Sequence, residues 1–191
     1  MTRFAAAAAL LTLTACATAT SVTPIPIRIA PPSMPEPMLA AALDSAAAEE
    51  RERAAWQLAG APGIAAETAD KLRRLLYDDP EEQVRLAAAW ALGHSDATRP
   101  VDTYDTPPER VAVVKPTYPD DAFHQRIQGT VLIEIIIGER GKVAHGEVRE
   151  SIPALDAAAL ACVRGWSFKP AQRDGRPIPT VALAPVVFRI Y

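Results

Sequence analysis

The stretch Gly129-Thr-Val-Leu-Ile-Glu-Ile-Ile-Ile-Gly-Glu-Arg-Gly-Lys-Val143 constrains the fold more than any other part of this chain. Val131, Ile133, Ile135 and Ile137 share one parity. Alternate side chains of a strand point to opposite faces, so these β-branched residues line one buried face. Thr130, Leu132, Glu134 and Ile136 take the other parity, and Glu134 implies that this second face is partly in contact with water. Gly138-Glu139-Arg140-Gly141 supplies two permissive residues for a turn. A strand of this kind needs neighbours on both edges and a cover over its apolar face.

The last third of the sequence offers those partners. Val143 and Val148 fall on opposite parities, which predicts a bulge near His145-Gly146. Pro119 can open a short helix whose positive end suits Asp120 and Asp121. Leu155, Ala159, Cys162, Val163 and Trp166 have helical spacing and predict a buried face over 155–166. Phe168 begins a short strand limited by Pro170, and Asp174-Gly175 marks a turn. The closing strand runs over about 181–190. It directs Val186, Phe188 and Ile190 to one side and Val187, Arg189 and Tyr191 to the other. Pro185 cannot donate to a ladder, so this strand is expected at an edge.

The N-terminal end reads as an address. Arg3 precedes a short apolar run, Phe4 to Leu13, that is far below the roughly 20 residues needed to span a bilayer. It closes on Leu13-Thr14-Ala15-Cys16, which resembles a bacterial lipobox. That resemblance implies a signal peptide over 1–15 and lipidation of Cys16. Ala17 in place of Asp favours the outer membrane over the inner one. An ordinary signal peptide with Cys16 left as a free thiol is the alternative reading. Residues 16–38 are rich in Pro and Thr and are expected to form an extended, disordered tether of roughly 60 Å.

Composition changes between about 39 and 97 to Ala, Leu, Glu and Arg. Trp56 and Trp90 correspond, as do Leu58 and Leu92, at a spacing of 34 residues. This period points to stacked helical pairs. Asp79 as N-cap, Pro80 at the first position and Glu82 at the third form a capping box, and Gly93 is placed to end the helix. Val84, Ala87, Ala88, Ala91 and Leu92 form its apolar stripe, and Leu72, Leu75 and Leu76 mark the helix before it. The phrase Val84-Arg-Leu-Ala-Ala-Ala-Trp-Ala-Leu-Gly93 resembles HEAT-like repeats of the phycobilisome-lyase type, which implies a protein-interaction scaffold. Fewer than three repeats rarely stand alone, so this module is expected to lean on the C-terminal domain, a second copy or a partner. A helical hairpin serving only as a spacer is the plainer alternative. Residues 98–113, with Pro100, Pro107 and Pro108, read as a linker.

Residues 114–191 then form an α+β domain, an antiparallel sheet of about three strands with two helices in a two-layer arrangement. Tyr118-Pro119, the hairpin over 129–143, Leu155-Asp156 and Trp166-x-Phe168-x-Pro170 occur together and in order. In that combination the segment resembles the C-terminal domain of the TonB family. The resemblance implies binding of extended peptides by strand addition at an exposed edge, with an outer-membrane transporter or another envelope protein as partner. It places the contact surface on Lys115, Pro116, Tyr118, Pro119, Val187, Arg189 and Tyr191. Lys115-Pro116 stands where the best-known member has Gln-Pro. Transducers of the family also carry an N-terminal transmembrane helix, whereas this chain is read with a lipid anchor.

Other chemistries find little support. The formal charge of −3 gives no footprint for nucleic acid. His94, His124 and His145 lack ligand spacing, so no metal or other cofactor is expected. Ser151 and Ser167 lack a nucleophile-elbow context, and the chain is read as a non-enzyme. Cys162 reads as an inert core thiol, unpaired with Cys16. The acidic runs Glu49-Glu50-Glu52 and Asp78-Asp79-Glu81-Glu82 read as solvated faces and helix starts. Arg140, Lys142, Arg149, Arg173 and Arg176 could form a mildly basic hairpin end. The expectation is a periplasmic, lipid-anchored adaptor. A component of TonB-dependent uptake and a self-associating structural lipoprotein, as a homodimer, remain the alternatives.

Overall fold

A computed structural model describes residues 33–94 and 104–190. The signal peptide, Cys16, most of the tether, the start of the linker and Tyr191 lie outside the described residues.

Four helices come first: α1 (Glu36–Ala42), α2 (Ala48–Ala59), α3 (Ala66–Asp78) and α4 (Glu82–His94). They form two consecutive pairs, and α4 packs on both α2 and α3. The two tryptophans that share the repeat position meet, with ring centroids 6.4 Å apart. Leu58, Leu72, Leu76 and Leu92 share one core with Leu39 and Leu43 of the first pair.

Three details of α4 differ from the sequence expectation. It begins at Glu82 rather than Pro80. Asp79 Oδ1 accepts from the Glu81 N–H at 3.0 Å, while both its oxygens hold Arg51 at 2.7 and 3.1 Å. Asp79 is 8% exposed, so it is a buried ion-pair member and not a solvated helix start. Gly93 does not end the helix, which continues to His94. A Cβ at Gly93 would come within 2.6 Å of Val181 Cγ2, so glycine permits the helix to approach a strand closely. Leu86, Ala89 and Trp90 are buried along with the expected stripe. A helix apolar on all sides is buried on all sides.

The C-terminal domain contains β1 (Glu109–Ala112), α5 (Asp120–His124), β2 (Gly129–Ile137), β3 (Val143–Glu150), α6 (Asp156–Arg164), β4 (Ser167–Lys169), β5 (Ala171–Arg173), β6 (Arg176–Ile178) and β7 (Thr180–Phe188). The antiparallel sheet has the order β3-β2-β7, with β2 in the centre as expected. Two small two-stranded sheets, β1-β4 and β5-β6, add to it. The second half of the stretch read as a linker therefore carries a strand. Asp105 and Thr106 also donate to the Gln172 carbonyl at 2.8 and 3.1 Å.

The helix α6 covers one face of the sheet. Val131, Ile133, Ile135 and Ile137 share a core with Leu155, Ala159, Val163, Trp166, Ala184, Val186 and Phe188. Asp156 fixes the entry to α6 by accepting from the Ile152 N–H and the Ser151 hydroxyl. The expected bulge in β3 falls at Ala144, since Val143 opposes Ile137 and His145 opposes Ile136. A second irregularity leaves Arg149 unmatched between Val148 and Glu150. At the hairpin, Gly141 has φ 71°, and a Cβ there would lie 1.8 Å from the Phe168 carbonyl oxygen.

The second face of β2 is wet only at its start, where Thr130 is exposed and Leu132 half-buried. Glu134 is 4% exposed and Ile136 is fully buried, because α4 lies across this face. Ile136 belongs to the helical core, and Val181 packs against that core as well. The helical module thus leans on the C-terminal domain, the first of the three supports that its size demanded.

Candidate functional site

The two outer strands of the sheet are β3 and β7. β7 pairs with β2 through nine residues, from Thr180 opposite Ile137 to Phe188 opposite Gly129. Its other edge has no strand partner among the described residues. A row of backbone N–H and C=O groups is therefore available to an extended chain. Side chains of β7 divide as alternation demands. Ala184, Val186 and Phe188 enter the core under α6, while Leu183, Pro185 and Val187 are exposed on the opposite face. Leu183 and Val187 retain 47% and 46% of their surface, large values for aliphatic side chains in a sheet.

The residues expected to make the contact surface occupy two places. Tyr118 reaches the end of β7: its ring meets Phe188 edge-on at 5.4 Å and Phe123 at 5.7 Å. Its hydroxyl donates to the Ile127 carbonyl at 2.5 Å, and Pro119 precedes α5. Val187 precedes Phe188 near the end of that strand, and exposed Arg189 follows its last residue. Lys115 and Pro116 instead follow Val114, whose carbonyl accepts from Trp166 Nε1 at 3.2 Å and Cys162 Sγ at 3.1 Å. That contact ties them to the C-terminal end of α6. Burial pushes the Cys162 thiol up, which keeps it protonated at neutral pH.

A second assembly, between the two modules, was not legible from spacing. His94 at the end of α4 places Nδ1 2.8 Å from Glu134 Oε2, and Arg149 Nε lies 3.1 Å from that same oxygen. His94 Nε2 is 3.8 Å from Glu147. His145 of β3 packs edge-on against Trp90 at 4.9 Å and beside Trp56 at 5.1 Å, while His94 stacks on Trp90 at 4.9 Å. The two histidines, far apart in sequence, therefore share one site around Trp90. Burial, with help from His94, holds the His145 imidazole down to about 4. Among the described residues no three His, Cys, Asp or Glu side chains converge to hold a metal ion. The signal that could have revealed this site is Glu134 in an apolar strand read together with a helix apolar on every side.

The basic hairpin end and the acidic turn face each other across the module boundary. Arg85 forks onto Glu139 at 2.5 and 3.0 Å, and Arg140 contacts Glu82 at 3.1 Å. Arg173 donates to the Tyr77 hydroxyl at 2.8 Å and sits over its ring. The Glu139 partner raises Arg85 further above its ordinary value. These pairs fix how the helical module sits and are part of an internal interface. The cleft they border, about 570 Å³, is lined by charges of both signs.

Residues 114–190 match the Gram-negative bacterial TonB protein C-terminal family. Residues 35–112 match HEAT repeats. The chain is 33% identical over 88 residues to Protein TonB of Vibrio cholerae serotype O1, covering 45% of this chain and 36% of the relative. It is 32% identical over 77 residues to Protein tonB2 of Pseudomonas aeruginosa, covering 39% of this chain and 28% of the relative. The chain thus spans about a third of the length of the curated relatives it matches. A solution NMR structure of the Pseudomonas aeruginosa TonB C-terminal domain aligns with a TM-score of 0.38 at 25% identity, over 45% of this chain and 89% of that one. The segment that matches the TonB C-terminal family is an α+β domain with a three-stranded antiparallel sheet, preceded by the helices that match HEAT repeats. No helix among the described residues is long and apolar enough to cross a membrane.

Proposed function

We propose that this protein is a lipid-anchored envelope adaptor whose TonB domain captures an extended peptide segment by adding it to β7. The free edge of β7, beside exposed Leu183 and Val187, carries this reading. Main-chain hydrogen bonds supply affinity that is indifferent to sequence, and alternate side chains meeting the sheet face supply selectivity. Tyr118 braces the end of the strand through Phe188, so the acceptor edge is held in register before a peptide arrives. Cys16 serves as the lipid attachment, and the proline-rich segment gives the domain reach. The protein performs no catalysis; its output is a bound partner.

The kinship of residues 114–190 to TonB proteins favours a second, more specific reading. Here the captured segment belongs to an outer-membrane transporter, and the protein takes part in TonB-dependent transport. The test is photocrosslinking in cells from Val187 and Arg189, with mass spectrometry of the adducts. Adducts with the periplasmic segment of a transporter establish the transport role. Adducts with other envelope proteins leave the adaptor role, and adducts with a second copy favour a structural homodimer. The absence of adducts from both positions overturns strand capture at β7. Loss of Cys16→Ser protein from the membrane fraction checks the anchor.

A further inference from the structure

The cleft at the module boundary is lined by two kinds of charge. One kind is answered within the fold. Arg85 forks onto Glu139 and donates to the carbonyls of Asp79 and Pro80. Asp79 is held in turn by Arg51. These groups satisfy one another and make fixed walls, and buried Leu76 and Ile178 add an apolar floor.

The other kind is not answered. Asp78 at the end of α3, and Asp174 and Arg176 on the β5–β6 hairpin, are exposed. Their side chains form no ion pair or hydrogen bond among the described residues. Backbone geometry holds the hairpin in place. Asp174 has φ 50° and Gly175 φ 73°, the pair of positive values that a two-residue type I′ turn requires. That turn sets Arg176 directly opposite Arg173. Like charges so placed repel. Arg173 is drawn to the Tyr77 hydroxyl and ring, while Arg176 stays open to the cleft. Unanswered charges of both signs in one cleft of about 570 Å³, above an apolar floor, suit a peptide that carries an acidic and a basic residue close together.

The position of the cleft joins it to the free strand edge. β7 begins at Thr180, opposite Ile137. Ile178 and Glu139, which line the cleft, each lie two residues beyond that pair. A chain added along β7 therefore leaves the sheet at the mouth of the cleft. The path from Val187 to the cleft is about 25–30 Å long, which an extended peptide covers in about eight or nine residues.

We propose that this cleft is a second contact for the peptide captured on β7, with Arg176 taking an acidic residue of that peptide and Asp78 and Asp174 a basic one. The walls are fixed before the peptide arrives, so little ordering opposes the contact. The proposal rests on β7 being a strand acceptor and adds the end of α3 to the recognition surface.

The test is photocrosslinking in cells from Pro177, which lines the cleft without carrying a charge, run beside that from Val187. Expected are adducts from both positions on one segment of one partner, with attachment points about 7–12 residues apart. Arg176→Glu and Asp78→Lys should each lower the Pro177 yield about tenfold, with the circular dichroism unchanged. Adducts from Val187 alone overturn the cleft contact and leave strand capture standing. So do adducts on two different proteins, or yields that ignore both charge reversals. Adducts from Pro177 with lipid assign the cleft to headgroups and overturn the peptide contact. Adducts from Pro177 with none from Val187 or Arg189 overturn strand capture and the continuous site with it.

Discussion

Protonation of His145 provides the sharpest test of how the modules are joined. Its ring is wedged between Trp56 and Trp90, and its Nε2 is buried with no hydrogen-bond partner among the described residues. The titratable group that acts on it is His94 from α4, which is itself set against Glu134 of β2 and Glu147 of β3, with Arg149 also on Glu134. The imidazole titrates near 4 in the folded protein, against 6.5 when unfolded. A histidine with a depressed folded value contributes stability that is full above 6.5 and is lost as pH falls towards 4, because only the unfolded chain takes up the proton. The two values imply a loss of about 2 kcal/mol between pH 7 and pH 5, approaching about 3 kcal/mol at pH 4. The assay is urea unfolding of wild type and His145→Phe at several pH values across this range. Every other ionisable side chain is common to both proteins, so the difference in slope isolates His145. The wild type should lose about 2 kcal/mol more than the variant between pH 7 and pH 5. Parallel pH profiles would refute the reasoning, since they would mean that His145 takes its proton equally well in both states.

Gly93→Val should be destabilising by about 1–3 kcal/mol, because the new side chain meets Val181 where helix and strand touch. Thermal denaturation with an unchanged midpoint would contradict that contact. Asp79→Ala leaves Arg51 without its carboxylate in a mostly buried setting and should cost about 3 kcal/mol in urea unfolding. A loss below about 1 kcal/mol would mean that the pair behaves like an exposed one. Val187→Pro should leave the fold intact, as judged by circular dichroism, yet abolish crosslinking to a captured peptide from Arg189; a folded variant that still binds argues against the β7 edge.

Local periodicity made most of the C-terminal domain legible. The parity of Val131 to Ile137, the helical spacing from Leu155 to Trp166 and the turn at Asp174-Gly175 each report on neighbours within a few residues. The repeat of Trp56 and Trp90 was legible for the same reason. What could not be read were contacts between segments that no local rule links. Glu134 looked like a sign of water, but its polarity is answered by His94 from 40 residues away and by Arg149. Gly93 fits a helix end and an approach to a strand equally well, and only the position of Val181 decides. The expected contact residues divided for a similar reason: Tyr118 is pulled to Phe188, whereas the segment before it is held by Trp166.

The central strand β2 carries two interleaved messages. Its odd-numbered residues are addressed to α6 and its even-numbered ones, Glu134 and Ile136, to α4. The HEAT-type pair therefore cannot be exchanged like a bead on a string. Grafting it onto another domain of this fold would require rewriting every second residue of that domain's middle strand. Conversely, a relative with nothing packed on that face should carry water-compatible side chains where this chain has Ile136 and Val181. That substitution pattern would date the fusion: it separates lineages in which the two modules have adapted to each other from those in which they merely share a polypeptide.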